Sequence, residues 1–322
     1  MNKPFLLRPA CKDYLWGGER LKKDFHKDST MVPLAETWEC STHPDGASIV
    51  DSGSEKGKTL TEVLHAHPEY IGTHPHTKDE LPILVKLIDA QKDLSVQVHP
   101  DDDYALKYEN SLGKSELWYV LDACQGAKLV YGFAHDMTPQ EVLESLENKT
   151  IEKHLQKVNV MKDDVFFVKA GTVHAIGEGV LVAEIQESSN LTYRLYDYDR
   201  KDKNGNPRQL HIDRAMEVMD MKFSGEPRQP MRVLKYRKGY ASELLGRCKY
   251  FQVERILINS AEGIIPVRTG SNSFEVLLCI GGSGVLKGTD QLPFEKGQCI
   301  FLPADSEEMH LEGKAELLRI CC

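Results

Sequence analysis

No stretch of this 322-residue chain approaches the roughly 18 consecutive apolar residues of a membrane-spanning helix. The opening MNKPFLLRPACKDYLWGG also lacks a signal-peptide core and cleavage site. These absences exclude a membrane partner and make the cytoplasm the expected compartment. No Cys-x-x-Cys pair occurs. The eight cysteines, Cys11, Cys40, Cys124, Cys248, Cys279, Cys299, Cys321 and Cys322, are scattered, which excludes a zinc knuckle and a disulfide framework. They are expected mostly as small buried apolar residues. Net positive charge is absent. A formal charge of -9 and a pI near 5.8 exclude a general nucleic-acid surface, so binding an anion requires a local cluster of cations. Phosphate-loop and dinucleotide fingerprints are missing, because Gly281-Gly-Ser-Gly284 has no Lys-Ser/Thr after it and reads as a hairpin. The sequons Asn148-Lys-Thr150 and Asn190-Leu-Thr192 carry no meaning without secretion.

What is present is ordinary in bulk and specific in detail. With 41% apolar and 28% charged residues, the chain is a globular sequence long enough for two domains. Short runs rich in Val, Ile, Leu, Phe and Tyr, bounded by Gly and Pro, predict strands over Pro82 to Ile88, Leu117 to Leu121, Val165 to Val168, Val180 to Ile185, Phe274 to Ile280 and Cys299 to Leu302. The fold class is therefore mainly β with a few short helices. Capping boxes mark two helix starts, at Thr59-Leu-Thr-Glu62 and at Thr138-Pro-Gln-Glu141. After the second, Val142, Leu143 and Leu146 are expected on one helical face. A further short helix is predicted from Asp101 or Asp102 to about Ser111, ended by Gly113, and another over His211 to Met219. The polar stretch Asp199 to Pro207 reads as a solvated loop.

The halves of the chain resemble each other. Lys162-Asp-Asp-Val-Phe-Phe-Val-Lys-Ala-Gly171 matches Lys296-Gly-Gln-Cys-Ile-Phe-Leu-Pro-Ala-Asp305, and Glu116 to Gly126 matches Phe274 to Gly284 with the two glycine hairpins aligned. In that alignment Phe274 stands opposite Glu116 and Glu308 opposite His174, and His310 has no companions. The strand, hairpin, strand, Gly-turn-His arrangement resembles the cupin small barrel. Two cupin-like jelly-roll barrels are expected, a catalytic one over 1–238 with short helical insertions and a degenerate one over 239–322, divided near Arg228-Gln-Pro-Met-Arg-Val.

Gln97-Val-His99, Glu116 and His174 in Ala170-Gly-Thr-Val-His174 form a split metal-ligand pattern. Leu94, Val96 and Val98 alternate with Ser95, Gln97 and His99, so a strand here puts the three polar side chains on one face. Two imidazoles and a carboxylate suit zinc or another divalent first-row ion, with the Gln carbonyl as a weak neutral donor. The competing reading makes His99 a helix cap before Pro100, Glu116 a surface charge and His174 a turn residue.

These residues belong to a longer series: Tyr14-Leu-Trp-Gly17, Glu36-Thr-Trp38, Thr42-His-Pro44, Leu81-Pro-Ile-Leu-Val-Lys86, Leu94-Ser-Val-Gln-Val-His-Pro100, Lys114-Ser-Glu116, Ala170-Gly-Thr-Val-His174 and Leu191-Thr-Tyr-Arg194. The series resembles the type I mannose-6-phosphate isomerases of the short bacterial kind, in the cupin superfamily. The resemblance implies one zinc ion per chain, held by Gln97, His99, Glu116 and His174. It further implies an active-site arginine at Arg194, a substrate pocket containing Ser95 and Lys114, and a phosphosugar substrate. Longer members carry a helical insertion and a different sequence around the arginine, where this chain reads Tyr193-Arg194-Leu-Tyr-Asp-Tyr-Asp199.

The implied reaction interconverts mannose 6-phosphate and fructose 6-phosphate through an enediol or enediolate. A guanidinium, with a pKa above about 12, is no base, so Arg194 is expected to stabilise developing negative charge unless it is tied to Asp197 or Asp199. Lys114 is expected to contact the substrate's phosphate or hydroxyls. The proton carrier stays open among a metal-bound water, His43 and another carboxylate. Trp16 and Trp38 are expected in the core. Two other functions fit the same scaffold: a non-catalytic sugar-phosphate-binding cupin, and a metal-dependent cupin oxygenase using two His and one Glu. The oligomeric state is left open, a monomer being the simplest case.

Overall fold

The computed structural model describes residues 2–75, 77, 80–201, 204–229 and 232–322. Asp202 and Lys203 of the expected polar loop, and Pro230 and Met231 of the expected domain boundary, lie outside them. The chain forms two compact units, each discontinuous in sequence. One comprises Met1–Lys12, Glu19–Leu87 and Pro230–Cys322; the other comprises Asp13–Gly18 and Ile88–Gln229. The chain passes between the units for the last time after Gln229. Residues 1–12 and 19–87 nevertheless cluster with the C-terminal strands, because backbone pairing places the strand Phe5–Arg8 between Cys299–Leu302 and Ile49–Val50.

The unit Asp13–Gly18 plus Ile88–Gln229 carries every candidate metal ligand. Its five-stranded antiparallel sheet runs Tyr193–Tyr196, Val96–Val98, His174–Ile176, Lys128–Phe133, Leu155–Asn159. A second ladder pairs Glu116–Ala123 with both Val165–Val168 and Val180–Glu187. Val96 and Val98 are fully buried on one face of the first sheet. They pack with Phe133 and Val173 and with Val142 and Ala215 from the helices Pro139–Glu147 and Ile212–Val218. The opposite face is left to Ser95, Gln97 and His99, as period-two alternation dictates. Among the described residues the ladders are open rather than closed rings. Among the described residues no helix is long and apolar enough to cross a membrane.

Both capping boxes form with reciprocal bonds, Thr59 with Glu62 and Thr138 with Glu141. Thr138→Ala removes one cap at an exposed helix end. It is expected to cost about 1 kcal/mol, read as a lowered denaturation midpoint with metal affinity unchanged.

Three local expectations are corrected. The helix Asp102–Glu109 ends at Asn110, in the left-handed region at φ 50°, and not at Gly113; asparagine tolerates that conformation. Leu143 is 38% exposed, and Ser145 takes the buried position beside Val142. Gly281 to Gly284 is no hairpin: it lies inside the strand Glu275–Lys287 at a register shift between Cys279 and Gly281. Glycine is needed there for close strand approach, since a Cβ on Gly282 would stand 2.1 Å from the Lys314 carbonyl oxygen. The chain actually reverses between Lys287 and Gln291.

Candidate metal centre

His99 follows the strand Val96–Val98, Glu116 opens the strand Glu116–Ala123, and His174 opens His174–Ile176. The sheets bring the three together, with ligand-capable atoms all within 4.8 Å of one another. All three are buried, none more than 1% exposed. His99 Nδ1 lies 2.8 Å from the Leu191 carbonyl oxygen, and His174 Nδ1 lies 2.8 Å from that of Thr172. A carbonyl only accepts, so each Nδ1 carries the hydrogen and each Nε2 presents its lone pair to the centre, the form in which a metal takes it. Glu116 Oε2 accepts the Trp118 indole N–H at 2.8 Å. Its Oε1 has no aligned hydrogen-bond donor and lies 3.0 Å from His99 Nε2.

Lys114, 4% exposed, enters this space: its Nζ is 2.5 Å from Glu116 Oε1 and 3.3 Å from His99 Nε2. The ammonium acts as a stand-in cation, and the donors around it are of the kind that a divalent first-row ion takes. The carboxamide of Gln97 also faces the centre, 3.4 Å from His174 Nε2. A half-turn of the amide would present its oxygen instead. The residues therefore fit a metal, and the helix-cap, surface-charge and turn readings of His99, Glu116 and His174 are set aside.

Burial, reinforced by the Lys114 charge, pushes the His99 imidazole down to about 3, and burial lowers His174 as well. For Glu116, burial acts to raise the pKa, but Lys114 and the two imidazoles outweigh it and hold the carboxyl well below its usual range. At neutral pH the donors are two neutral rings and a carboxylate, the forms a metal requires. Acidification should therefore weaken the metal-free protein. As pH falls through the ordinary histidine value of 6.5, the unfolded chain takes up protons that the folded site refuses. His99 alone should cost about 2 kcal/mol at pH 5. Thermal denaturation in chelator is expected to show a midpoint falling steadily from neutral pH to pH 4.

Arg194, Gln97 and His174 occupy one row across three strands, Arg194 paired with Gln97 and Gln97 with His174. The Arg194 guanidinium donates to Ser95 Oγ at 3.3 Å and to the Gln209 carbonyl at 2.8 Å, both neutral. Asp197 is held by Arg200 and Arg208, and Asp199 lies 2.6 Å from Lys149. Arg194 thus has no carboxylate partner among the described residues. Arg194, Arg200 and Arg208 around the single carboxylate Asp197 make a local excess of positive charge in an acidic chain.

His43 has a turn role: its Nδ1 accepts the Asp45 N–H at 3.1 Å, and its ring stands edge-on to Trp38. Trp16 and Trp38 are buried. In the second half of the chain, His310 lies 3.2 Å from Glu312. No metal-type group besides His99, Glu116 and His174 occurs among the described residues. Sequence reading missed Trp118 and Glu184, whose carboxylate accepts the same indole N–H at 2.9 Å. Trp118 was within reach, since two residues along a strand returns to the same face. Glu184 was not, because its position opposite Trp118 is a matter of cross-strand register.

Residues 5–123 match the phosphomannose isomerase type I catalytic domain, and residues 242–322 match the mannose-6-phosphate isomerase cupin domain. The chain is 37% identical over 323 residues to mannose-6-phosphate isomerase ManA of Bacillus subtilis, covering 98% of each chain. It is 34% identical over 319 residues to the mannose-6-phosphate isomerase of Streptococcus mutans serotype c, covering 99% of this chain and 98% of that one. The crystal structure of the mannose 6-phosphate isomerase from Bacillus subtilis shares its fold with a TM-score of 0.91 at 34% identity, covering 99% of both chains. End-to-end similarity at this level, on a chain whose buried donors converge on one point, places the protein in the type I phosphomannose isomerase family.

Proposed function

We propose that this chain interconverts mannose 6-phosphate and fructose 6-phosphate, with one zinc ion held by His99, Glu116, His174 and Gln97. The observation that carries the reading is the convergence of two Nε2 atoms and a buried carboxylate oxygen on one point, where the Lys114 ammonium is the cation present. When bound, the ion supplies a Lewis acid for the sugar carbonyl, lowering the cost of negative charge by several kcal/mol.

The chain's own residues supply the rest. Arg194 places a permanent cation in the ligand row and stabilises charge that develops as the proton moves between C1 and C2. Ser95, 4% exposed, holds Arg194 Nε and orients it. Lys114 offers an ammonium that can leave Glu116 for a substrate oxygen, its flexible stem permitting the move. Arg200 and Arg208, which share the single carboxylate Asp197, favour a phosphorylated sugar over a neutral one. Residues 1–238 are assigned the catalytic role and 239–322 that of a degenerate cupin partner. Eight free thiols suit a reducing compartment, which supports the reading of a cytoplasmic enzyme.

The test is to incubate zinc-loaded protein with mannose 6-phosphate, with and without chelator, and to follow fructose 6-phosphate. Chelator-sensitive turnover is expected. Tight sugar-phosphate binding without turnover would replace the isomerase by a binding protein, and iron-dependent oxygen consumption would replace it by an oxygenase.

A further inference from the structure

Glu187 ends the strand Val180–Glu187 and is 2% exposed. Its Oε1 accepts the Ser115 N–H at 2.7 Å, and its own N–H donates to the Ser115 carbonyl at 3.2 Å. Its carboxyl is also hydrogen-bonded to that of Asp102, the first residue of the helix Asp102–Glu109. Asp102 Oδ1 in turn accepts the Gly113 N–H at 3.1 Å. The two carboxyls therefore grip Gly113 and Ser115, the residues on either side of Lys114. The segment has little slack: the Lys114 N–H donates to the Pro100 carbonyl at 3.1 Å, and a Cβ on Gly113 would stand 2.5 Å from the Asp102 nitrogen.

We propose that Glu187 and Asp102 share one proton across a carboxyl–carboxylate hydrogen bond, and that this pair is a positioning device setting Lys114 and Glu116 in the reactive centre. The proposal rests on the isomerase reading. Two touching carboxylates in a buried site cannot both ionise. The proton belongs on Glu187. Asp102 is half-exposed at the positive end of a helix dipole, with the Gly113 N–H stabilising its charge. Burial pushes Glu187 up to about 7, and the Asp102 charge adds to that shift, while the Ser115 N–H and hydroxyl oppose it. From its own strand, the neutral Gln186 amide donates to the Glu187 carbonyl. The Lys114 ammonium is directed at Glu116 and His99.

Glu187→Gln keeps an acceptor for Ser115 and replaces the shared proton with a permanent amide donor. It is expected to hold kcat at neutral pH and to lack the alkaline decline expected of the wild type as the proton leaves. Glu187→Ala, which releases Ser115, is expected to lower kcat about 10- to 100-fold through misplacement of Lys114 and Glu116, with KM little changed and zinc content retained. Carboxyl 13C NMR of metal-free protein supplies a readout without turnover: the near-neutral titration of Glu187 should move down in Asp102→Asn, while burial keeps it above the ordinary glutamate range. An unmoved titration in Asp102→Asn, a wild-type alkaline limb in Glu187→Gln, or wild-type kcat in Glu187→Ala would each overturn the pair. A wild type that turns over no sugar phosphate would instead sink the isomerase reading, leaving the NMR result to stand on its own.

Discussion

Replacing His174 by alanine is expected to abolish both zinc retention and turnover while leaving the fold intact. His174 is fully buried, its Nε2 turned to the centre beside the Gln97 carboxamide and its Nδ1 anchored to the Thr172 carbonyl. If the roughly 10–16 kcal/mol of a four-ligand zinc site is shared among its donors, losing one costs about 3 kcal/mol, more than a hundredfold in affinity. The remaining ligands do not become uncompensated charges, because Lys114 lies 2.5 Å from Glu116 Oε1 and balances it. Metal analysis after dialysis, a coupled isomerase assay and a thermal melt together check the result. Full zinc occupancy with a normal rate would break the ligand assignment.

Arg194→Ala is expected to separate the two properties that His174→Ala loses together. Zinc should be retained, since Arg194 meets the ligand row through main-chain pairing with Gln97, which an alanine preserves. Turnover should fall about 10²- to 10³-fold, the size of effect seen when one preorganised donor to a developing oxyanion is removed. The fall should lie in kcat more than in KM if Arg194 acts chiefly as the reaction proceeds. Arg194→Lys should recover only part of the loss. The guanidinium uses Nε on Ser95 and an Nη on Gln209 at once, a forked arrangement that a single ammonium cannot reproduce. Near-wild-type activity in Arg194→Ala would remove the residue from the mechanism.

Some of this was legible in the amino-acid order because the interactions that decide it are local. Alternation through Leu94 to His99 assigns Val96 and Val98 to the core and Ser95, Gln97 and His99 to the opposite face, whatever the partner strand. The capping boxes at Thr59 and Thr138 close within three residues, so their sequence signature is also their geometry. The cluster of His99, Glu116 and His174 was legible for a chemical reason, since few residue types bind a divalent ion and here they recur in motifs shared with a family.

What the order of residues left undecided depends on pairing between distant strands. The strand Phe5–Arg8 joins the C-terminal sheet because its free edge groups find those of Cys299–Leu302, a contact of very large sequence separation. Gly282 and Gly284 looked like a turn because glycine permits turns and close strand approach alike, and only the neighbouring strand Met309–Cys321 selects between them. Glu184 beside Trp118, and Glu187 against Asp102 and Ser115, owe their roles to cross-strand register and to one helix end, where a one-residue slip would turn every side chain to the other face. Composition and spacing thus determined which chemistry the chain can perform. Tertiary packing determined which buried carboxyls, indole and lysine surround it, because burial and register are properties of the folded neighbours and not of the residues themselves.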